Sequence, residues 1–518
     1  MSRRDVLRKG AVAGTAAVTM PSFLAACGAS ATRAAVAGTT PDAAGADPVA
    51  SIFGVSHESI RRTLGELTSR GADQAELFFQ SSRSTSILYQ DGIVSQAHAS
   101  VDLGVGLRCV VGDQTGYAYT EELTDGSMRE AARTAAAIAH DRAVTPPQQI
   151  HHERLPHDRY AIEVPWRDVG IDDKLPLVQR CAEIVRSLEP AVVKVEVSWA
   201  DAESRVLIAD MRGRMVFDER PMTRMFVTVT AERDGARQTN RANIAARRGI
   251  DFYTEENLRQ VAQQAVDRTM ILFEARRPPA GEMPVVLARG ASGILLHEAI
   301  GHGMEADFNR KEISIYADML NRQVAEDFVT IVDDGSLENE RGALNVDDEG
   351  RPAGRTVLVE NGRLVSYMHD GISSRHYGVS PTGSGRRQSF RHAPMPRMRC
   401  TYMEPGPHTR DEIIGSVQRG ILAETFTNGQ VQIGAGDYTF YIKNGWLIED
   451  GRLTAPIKDV NIIGTGPETL RRISMVGDDA TLDTGGWTCG KRGQSVPVSL
   501  GIPTVLVREL TVGGEDAA

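Results

Sequence analysis

The order in which β-rich and helical runs follow one another constrains the fold more than any other feature of the sequence. In the first half of the chain, strand-like runs succeed each other through tight turns marked by Asp91-Gly92, Gly213 and Gly235. Apolar residues at helical spacing predict helices apart from these runs, over residues 57–71, 123–141, 173–189 and 255–275. Because a doubly wound sheet requires strands and helices to alternate, this order favours the α+β class.

A break in the chain near residue 280 predicts a domain boundary. Pro278, Pro279 and Gly281 interrupt regular structure, and a buried-looking strand, MPVVLARG, begins directly afterwards. The 518 residues are enough for more than one core. We predict a mixed α/β domain over residues 51–280 and a mostly antiparallel β domain over residues 281–518. The few helices of the second domain are expected near residues 291–305 and 409–422.

Residues 1–26 predict an export signal. The pair Arg3-Arg4 is followed by Arg8 and Lys9 and then by the weakly apolar run AVAGTAAVTMPSFLAA, an order typical of the twin-arginine route. The alternative is a basic amphipathic arm. We therefore expect the protein to be exported to a periplasmic or extracytoplasmic location.

A lipid anchor is expected directly after this signal. Residues 24–27, LAAC, resemble the lipobox at which bacterial prolipoproteins are cleaved, so Cys27 would be lipidated. The alternative is a chance cysteine in an ordinary secretory signal. Residues 27–50 are rich in Ala, Gly, Thr and Pro and have no apolar periodicity, which predicts a flexible tether. These features predict attachment to a membrane by the lipid and not by a spanning helix.

The balance of charge argues against nucleic acid as a partner. The chain has 58 Lys and Arg residues against 68 Asp and Glu residues, a formal net charge of −10. Binding to a phosphate backbone is driven by cationic side chains that neutralise phosphates, so this chain carries the wrong sign.

A histidine pair in ASGILLHEAIGHGMEADF carries the most specific chemical signal. His297 and His302 flank Glu298 in this helix-like segment. The familiar zinc pattern places two histidines four residues apart with a Glu as general base. Here the spacing is five, which in an ideal α-helix separates the side chains by roughly 140°. A single wider π turn would restore a common face, and Gly301 would ease that distortion. The alternative is two unrelated histidines on an amphipathic helix.

Further motifs follow the histidine pair in a fixed order. They are HEAIGHGMEADFNR itself, VDDGS, NVDDEG, PTGSGRRQSFRHAPMPRM and CGKRGQSVPVSLGIP. In order and spacing they resemble the catalytic half of the TldD/PmbA family of zinc metallopeptidases, over roughly residues 280–515. A weaker resemblance to the N-terminal domain of that family covers residues 73–122. The chain is closer to the TldD branch, because the TldE/PmbA branch lacks HExxxH.

The resemblance implies the roles of four residues. His297 and His302 would bind Zn²⁺, Cys489 in TCGKRGQSVPVS would be the third ligand, and Glu298 would be the general base. Three protein ligands with an open position for water are what a catalytic zinc uses. Glycines near Cys489 would let the backbone bring its thiolate close to the helix; they are residues 485, 486, 490 and 493.

The resemblance also implies partners. Family members enclose their active site between two subunits, so we expect a homodimer or a heterodimer with a TldE/PmbA-like subunit. The expected substrate is a peptide or an unfolded protein segment. Two features depart from the family: the export signal, where typical members are cytosolic, and Cys400, which stands where an Asn usually precedes TYM.

The basic segment GRRQSFRHAPMPRM offers candidates for substrate binding. Arg387 and His392, with Arg386 and Arg391 nearby, could hold a peptide carboxylate or polarise the scissile carbonyl. The alternative is a solvated basic loop.

Other polar clusters favour structural explanations. The pairs Asp333-Asp334 and Asp347-Asp348 could bind a second cation, but we favour turn residues before Gly. His151, His152 and His157 lack ligand spacing and are assigned to a surface loop. With Cys27 and Cys489 set aside, an odd number of cysteines remains, which cannot form a complete disulfide framework. We interpret these three as small core residues: Cys109, Cys181 and Cys400.

Two functional hypotheses follow, with a third that we reject. The first is an exported, lipid-anchored zinc peptidase that acts on peptides in an enclosed cavity. The second is a non-catalytic, zinc-containing lipoprotein for peptide binding or assembly. Glu298 separates them, because a structural zinc site has no use for an ionised carboxylate beside its ligands. The third comes from the family's older label, modulator of DNA gyrase; net acidity and export argue against direct action on DNA or gyrase.

Overall fold

A long antiparallel sheet forms the centre of the first half of the chain. The structure is a computed structural model and describes residues 47–138, 144 and 146–514. The strands of the sheet are β1 (Gln74–Gln90), β2 (Ile93–Val111), β3 (Gln114–Thr120), β4 (His151–His152), β5 (Val192–Asp210), β6 (Arg214–Arg233) and β7 (Ala236–Ala246). Their order is β3-β2-β1-β5-β6, and both β4 and β7 pair with β6.

Tight turns connect these strands where the sequence predicts them. Asp91 and Gly92 have φ angles of 48° and 91°, and Gly213 and Gly235 have φ angles of 81° and 78°. Asp234, which precedes Gly235, has a φ of 52°, so the Asp91-Gly92 and Asp234-Gly235 loops have positive φ at both central residues, which matches the right-handed twist of the strands they join. In the turn between β5 and β6, the left-handed residue is Gly213. The three predicted turns are therefore confirmed.

Helices cover one face of this sheet. They are α1 (Pro48–Phe53), α2 (His57–Leu67), α3 (Asp125–Ala136), α4 (Ile171–Leu188) and α5 (Glu255–Met270). On β1, Leu77 and Phe79 pack in a core with α2 and α3, and Ile87 packs in a second core with α4 and α5. These odd-numbered residues share a face, since side chains alternate along a strand. Phe78 on the opposite face contacts Phe390 of the second half of the chain.

The second half of the chain is mostly antiparallel β structure. Its strands are β8 (Gly281–Leu287), β9 (Ile331–Asp334), β10 (Arg355–Glu360), β11 (Arg363–Leu364), β12 (Gly385–Arg386), β13 (Met395–Pro396), β14 (Cys400–Met403), β15 (Arg419–Gln432), β16 (Asp437–Glu449), β17 (Arg452–Ile457), β18 (Val460–Thr465), β19 (Ile473–Val476), β20 (Thr481–Leu482), β21 (Thr488–Lys491), β22 (Gln494–Pro497), β23 (Ser499–Ile502) and β24 (Val505–Gly513). Here β15 pairs with β8 and β14 with β23 in parallel, and the other pairings between the named strands of this half are antiparallel. The predicted α+β class is confirmed.

Two sheets organise this half. Strands β15, β8, β24, β18 and β16 form a ring, because β15 also pairs with β16. A second sheet runs in the order β11-β10-β9-β14-β23-β20. The helices of this half are short: α6 (Ala306–Asn309), α7 (Gly371–Tyr377), α8 (Arg410–Gly415) and α9 (Gly466–Arg472). The helix predicted over 409–422 is thus too long, because β15 begins at Arg419 and pairs with β8 and β16.

Several N-terminal predictions lie outside the described residues. These are the export signal of residues 1–26, lipidation at Cys27 and the tether as far as residue 46. The end of the tether is corrected, because Pro48 begins α1 and the Asp47 side chain caps that helix by accepting from the Val49 backbone N–H. Within the described part of the chain, every helix is too short or too polar to cross a membrane.

Candidate metal centre

His297 lies on a π-helix between β8 and α6, and His302 directly follows that helix. Residues Leu296–Gly301 form this helix, and the ring centroids of His297 and His302 are 5.1 Å apart. A π-helix bonds each residue to the one five positions away, so side chains at this spacing come onto one face. The predicted wide turn is confirmed.

Gly301 has a different role from the predicted one. Its φ and ψ of −58° and −49° are ordinary helical values that any residue adopts. A Cβ at this position would lie 2.1 Å from the Sδ atom of Met398. Glycine is therefore needed for the close approach of Met398 and not for the wide turn itself.

Cys489 reaches the histidines from a hairpin far along the chain. It lies on β21, which is joined to β22 by a turn in which Arg492 and Gly493 have φ angles of 48° and 75°. Its Sγ atom is 3.5 Å from His302 Nε2, and the ligand-type atoms of His297, His302 and Cys489 all lie within 4.8 Å of one another. All three side chains are buried.

Among the glycines near Cys489, Gly493 is the one whose backbone conformation the hairpin turn requires. Gly490 has open space where a Cβ would lie, so it is not needed to bring the thiol close.

A buried carboxylate that sequence reasoning missed fixes the ring of His302. Glu305 Oε2 lies 2.9 Å from His302 Nδ1 and 3.1 Å from Lys491 Nζ. Burial would raise the pKa of Glu305, but the charges of Lys491 and His302 outweigh it and lower the pKa to about 2. Glu305 therefore stays anionic, and the bond to Nδ1 leaves His302 Nε2 facing Cys489, as in metal sites whose histidines are held by a carboxylate.

The charges of the cluster favour a thiolate. Burial raises the pKa of the Cys489 thiol, but interactions with the His302 and His297 rings outweigh it, so the pKa lies well below its usual range. Burial lowers the pKa of His302, but the charges of Glu305 and Cys489 raise it well above its usual value. The cluster thus stabilises a thiolate beside a positive charge. A bound metal ion can supply that positive charge in place of the proton on the imidazole ring.

The donor set fits a zinc ion. Two imidazoles and one thiolate are borderline and soft ligands of the kind that Zn²⁺ prefers. His297 Nδ1 is buried and has no hydrogen-bond partner among the described residues, so this ring has unused capacity to bind.

Glu298 lies on the open side of the cluster. Its Oε2 atom is 4.0 Å from His302 Nε2, and its side chain is 21% exposed against 4% for His302. This carboxylate is therefore accessible to solvent and lies beside the ring nitrogen of His302.

The structure gives Arg387 a structural role instead of the predicted substrate contact. Its guanidinium is buried, lies 3.1 Å from Glu76 and stacks on Phe78, both of which belong to β1. It also donates to the backbone oxygen of Asp348 at 2.8 Å. Because these contacts hold the side chain within the chain's own interior, they do not support its binding of a peptide carboxylate.

His392 is not among the side chains brought to the cluster. It is partly buried, and its Nδ1 atom lies 3.1 Å from Ser389 Oγ. Burial and the charges of Arg391 and Arg387 lower its pKa. Gln494 on β22 bonds to the backbone oxygen of Ala393, which ties this loop to the Cys489 hairpin.

The acidic pairs are parts of the scaffold. Asp333 receives bonds from the backbone and side chain of Arg399, and Asp347 accepts from backbone N–H groups of residues 349, 351 and 385. Burial and the charge of Glu349 raise the pKa of Asp347 to about 7.

The remaining cysteines and histidines divide between core and surface. Cys109, Cys181 and Cys400 are free and buried, as predicted. His151 and His152 form β4 at the surface and are not a loop. The sequence near His152 lacks the spacing of a metal site, but the fold places His152 beside Asp47 and His57, two other residues of ligand type.

Comparison with known proteins places this arrangement in a family. Models of the PmbA/TldA metallopeptidases match residues 75–139 as domain 1, 164–273 as the central domain and 280–514 as the C-terminal domain. A metalloprotease TldD homolog of Haemophilus influenzae is 39% identical over 89% of this chain and 97% of its own length. The chain belongs to the PmbA/TldA metallopeptidase family.

Other members of this TldD/PmbA family resemble the chain at lower identity. A zinc metalloprotease TldD homolog of Saccharolobus solfataricus is 27% identical over 80% of this chain and 90% of its own. The solved structure of TldE from Thermococcus kodakarensis has a TM-score of 0.68 at 18% identity, over 88% of this chain and all of that one. The first relative supports peptidase function in the family, and the solved structure shows the shared fold.

Proposed function

We propose that this chain is a zinc-dependent peptidase of the TldD type. The observation that carries the proposal is the position of Glu298, a partly exposed carboxylate beside three buried side chains of zinc-ligand type. The residues that would hold the ion are His297, His302 and Cys489. When bound, zinc would polarise the peptide carbonyl and activate a water molecule.

The chain's own residues supply the proton transfers and the positioning. Glu298 takes a proton from the attacking water at a carboxylate oxygen and passes it to the leaving amine. Glu305 holds the Nδ1 atom of His302, and Lys491 keeps Glu305 ionised. These contacts fix the His302 ring, so the ligand geometry need not reorganise during the reaction.

The alternative is a non-catalytic, zinc-containing lipoprotein that binds peptides or assists assembly. A structural zinc site is closed by four protein ligands, whereas in the part of the chain that the structure describes three such residues meet here, His297, His302 and Cys489. The exposed edge at Glu298 therefore favours the peptidase. The Glu298 variant described in the Discussion separates the two functions.

We propose that the peptidase works as a homodimer or as a heterodimer with a TldE/PmbA-like subunit. The dimer would enclose the active site in a cavity that admits peptides or unfolded protein segments. The likeness of the fold to a TldE structure supports this partnership. Light scattering is expected to give the mass of a dimer. A monomeric mass, in a preparation that cleaves peptides, would contradict the proposal.

We propose export by the twin-arginine route and anchoring through Cys27. Replacing Arg3-Arg4 by Lys-Lys is expected to leave the precursor in the cytoplasm, whereas Arg8→Lys, a matched control, is expected to leave export unchanged.

Cys27→Ser is expected to release the exported protein from the membrane fraction, because the acyl chains supply the anchor. A Cys27→Ser protein that still fractionates as an integral membrane species would refute the lipid anchor.

A further inference from the structure

A second convergence of ligand-type side chains lies at the surface of the first half of the chain. Asp47 precedes α1, His57 begins α2, and His152 ends β4. His57 Nε2 lies 3.0 Å from Asp47 Oδ2, and His152 Nε2 lies 3.3 Å from His57 Nε2 and 3.6 Å from Asp47 Oδ1. Two neighbouring segments, and a third that lies 95 positions beyond His57, thus present ligand-type atoms that all lie within 4.8 Å of one another.

These distances match the spacing of ligands around a tetrahedral ion. Metal–nitrogen and metal–oxygen bonds of about 2.0 to 2.2 Å separate two ligands of a tetrahedral zinc by about 3.4 Å. Hydrogen bonds within the cluster can pair these atoms less completely than a bound ion can. A neutral imidazole carries one proton, so an Nε2–H group can make a good hydrogen bond to the other ring or to Asp47, but not to both.

We propose that Asp47, His57 and His152 bind one divalent transition-metal ion, separate from the buried His297, His302 and Cys489 cluster. Imidazole and carboxylate ligands suit Zn²⁺, Ni²⁺ and Cu²⁺, whereas Mg²⁺ and Ca²⁺ prefer oxygen ligands alone. The side chains are 41% to 42% exposed, so solvent can fill the remaining coordination position and the ion can exchange freely.

The ion would hold an otherwise weakly attached strand. Strand β4 pairs with β6 through two residues, His151 and His152, and it lies at the edge of the sheet. An ion bound by His152, His57 and Asp47 would tie this strand to the segment from Asp47 to the start of α2. Because the site is not formed in the unfolded chain, the free energy of ion binding stabilises the folded state. This site is a structural clip, and it does not depend on the proposed peptidase activity.

Titration of the untagged full chain with Zn²⁺ tests the site. After removal of bound metal with a chelator, calorimetry is expected to show a second, weaker ion beside the one at the buried cluster. His57→Ala and His152→Ala are each expected to weaken the second event at least about tenfold, because each removes a ligand. His151→Ala is the matched control, since His151 is the exposed neighbour of His152 on β4 and lies outside the cluster.

The readouts separate this proposal from the one for the buried site. In a Cys489→Ala background, one Zn²⁺ is expected to remain, and Co²⁺ bound there is expected to show no thiolate-to-metal absorption. Zn²⁺ is also expected to raise the Tm of the His151→Ala protein more than that of the His152→Ala protein. Equal Zn²⁺ binding by the His151→Ala and His152→Ala proteins, or none in the Cys489→Ala background, would overturn the proposal.

Discussion

Replacing Glu298 by Gln is expected to leave zinc bound and the fold intact but to remove most peptidase activity. The amide has nearly the same size as the carboxylate, but it cannot accept a proton from the attacking water. Loss of a general base typically lowers the rate by about 10² to 10⁴. The measurement is kcat/KM on an unstructured protein or a fluorogenic peptide, with zinc content determined on the same samples.

Glu130→Gln is the matched control for this variant. Glu130 is exposed on α3 in the first half of the chain, so the same chemical change is made away from the cluster. If Glu298→Gln cleaves as fast as Glu130→Gln, the proton-transfer role is wrong, although the metal site would stand. If Glu298→Gln loses zinc as well as activity while Glu130→Gln keeps both, the metal site itself depends on Glu298.

The local geometry of the histidine pair could be predicted from the sequence, because few backbone shapes bring residues five apart onto one face. The partner of the pair could not be derived in this way. Cys489 is separated from His302 by 187 positions, and it was suggested by resemblance to a family. The position of Cys489 beside the histidines depends on how the β21–β22 hairpin packs, and no local sequence pattern specifies that packing.

Arg387 shows the limit of interpreting charge along a sequence. A basic segment suggests a binding loop, but the partner of this guanidinium is Glu76, which lies 311 positions away in the first half of the chain. The same limit hid the contact between His57 and His152, which are 95 positions apart. Short-range spacing reveals sites built on one element and misses sites built between elements.

Glu305 was within reach of sequence reasoning. It follows His302 by three residues, a spacing that places side chains on neighbouring positions of a helix. The chain leaves the helix at this point, since Glu305 has a φ of −76° and a ψ of 116°. The contact therefore arises from the end of the helix, and it becomes meaningful once Lys491 is seen to pair with the same carboxylate.

Cys489→Ala is expected to abolish stable zinc binding at the buried cluster. The thiolate is the one anionic side chain among His297, His302 and Cys489, and its loss leaves a divalent ion buried between two neutral rings. Burying an uncompensated charge is costly. Removal of a residue that only hydrogen-bonds to a metal ligand typically weakens metal binding by about 10- to 100-fold. Loss of the ligand itself is therefore expected to lower the zinc affinity by at least about 100-fold.

The test of Cys489 requires a background in which the surface cluster cannot contribute, so both arms carry His152→Ala. Zinc affinity is measured by competition with a chelator, and Cys109→Ala is the matched control. Cys109 is also a buried free thiol, but its Sγ atom lies 4.0 Å from the Gly71 backbone oxygen in the core under α2 and α3. Both variants remove one sulfur from a packed interior, so a general loss of stability would affect them alike. If both variants retain equal zinc, the ligand assignment is wrong. If Cys489→Ala alone loses zinc, the ion is bound by the Cys489 thiolate, which the β21–β22 hairpin places beside the π-helix.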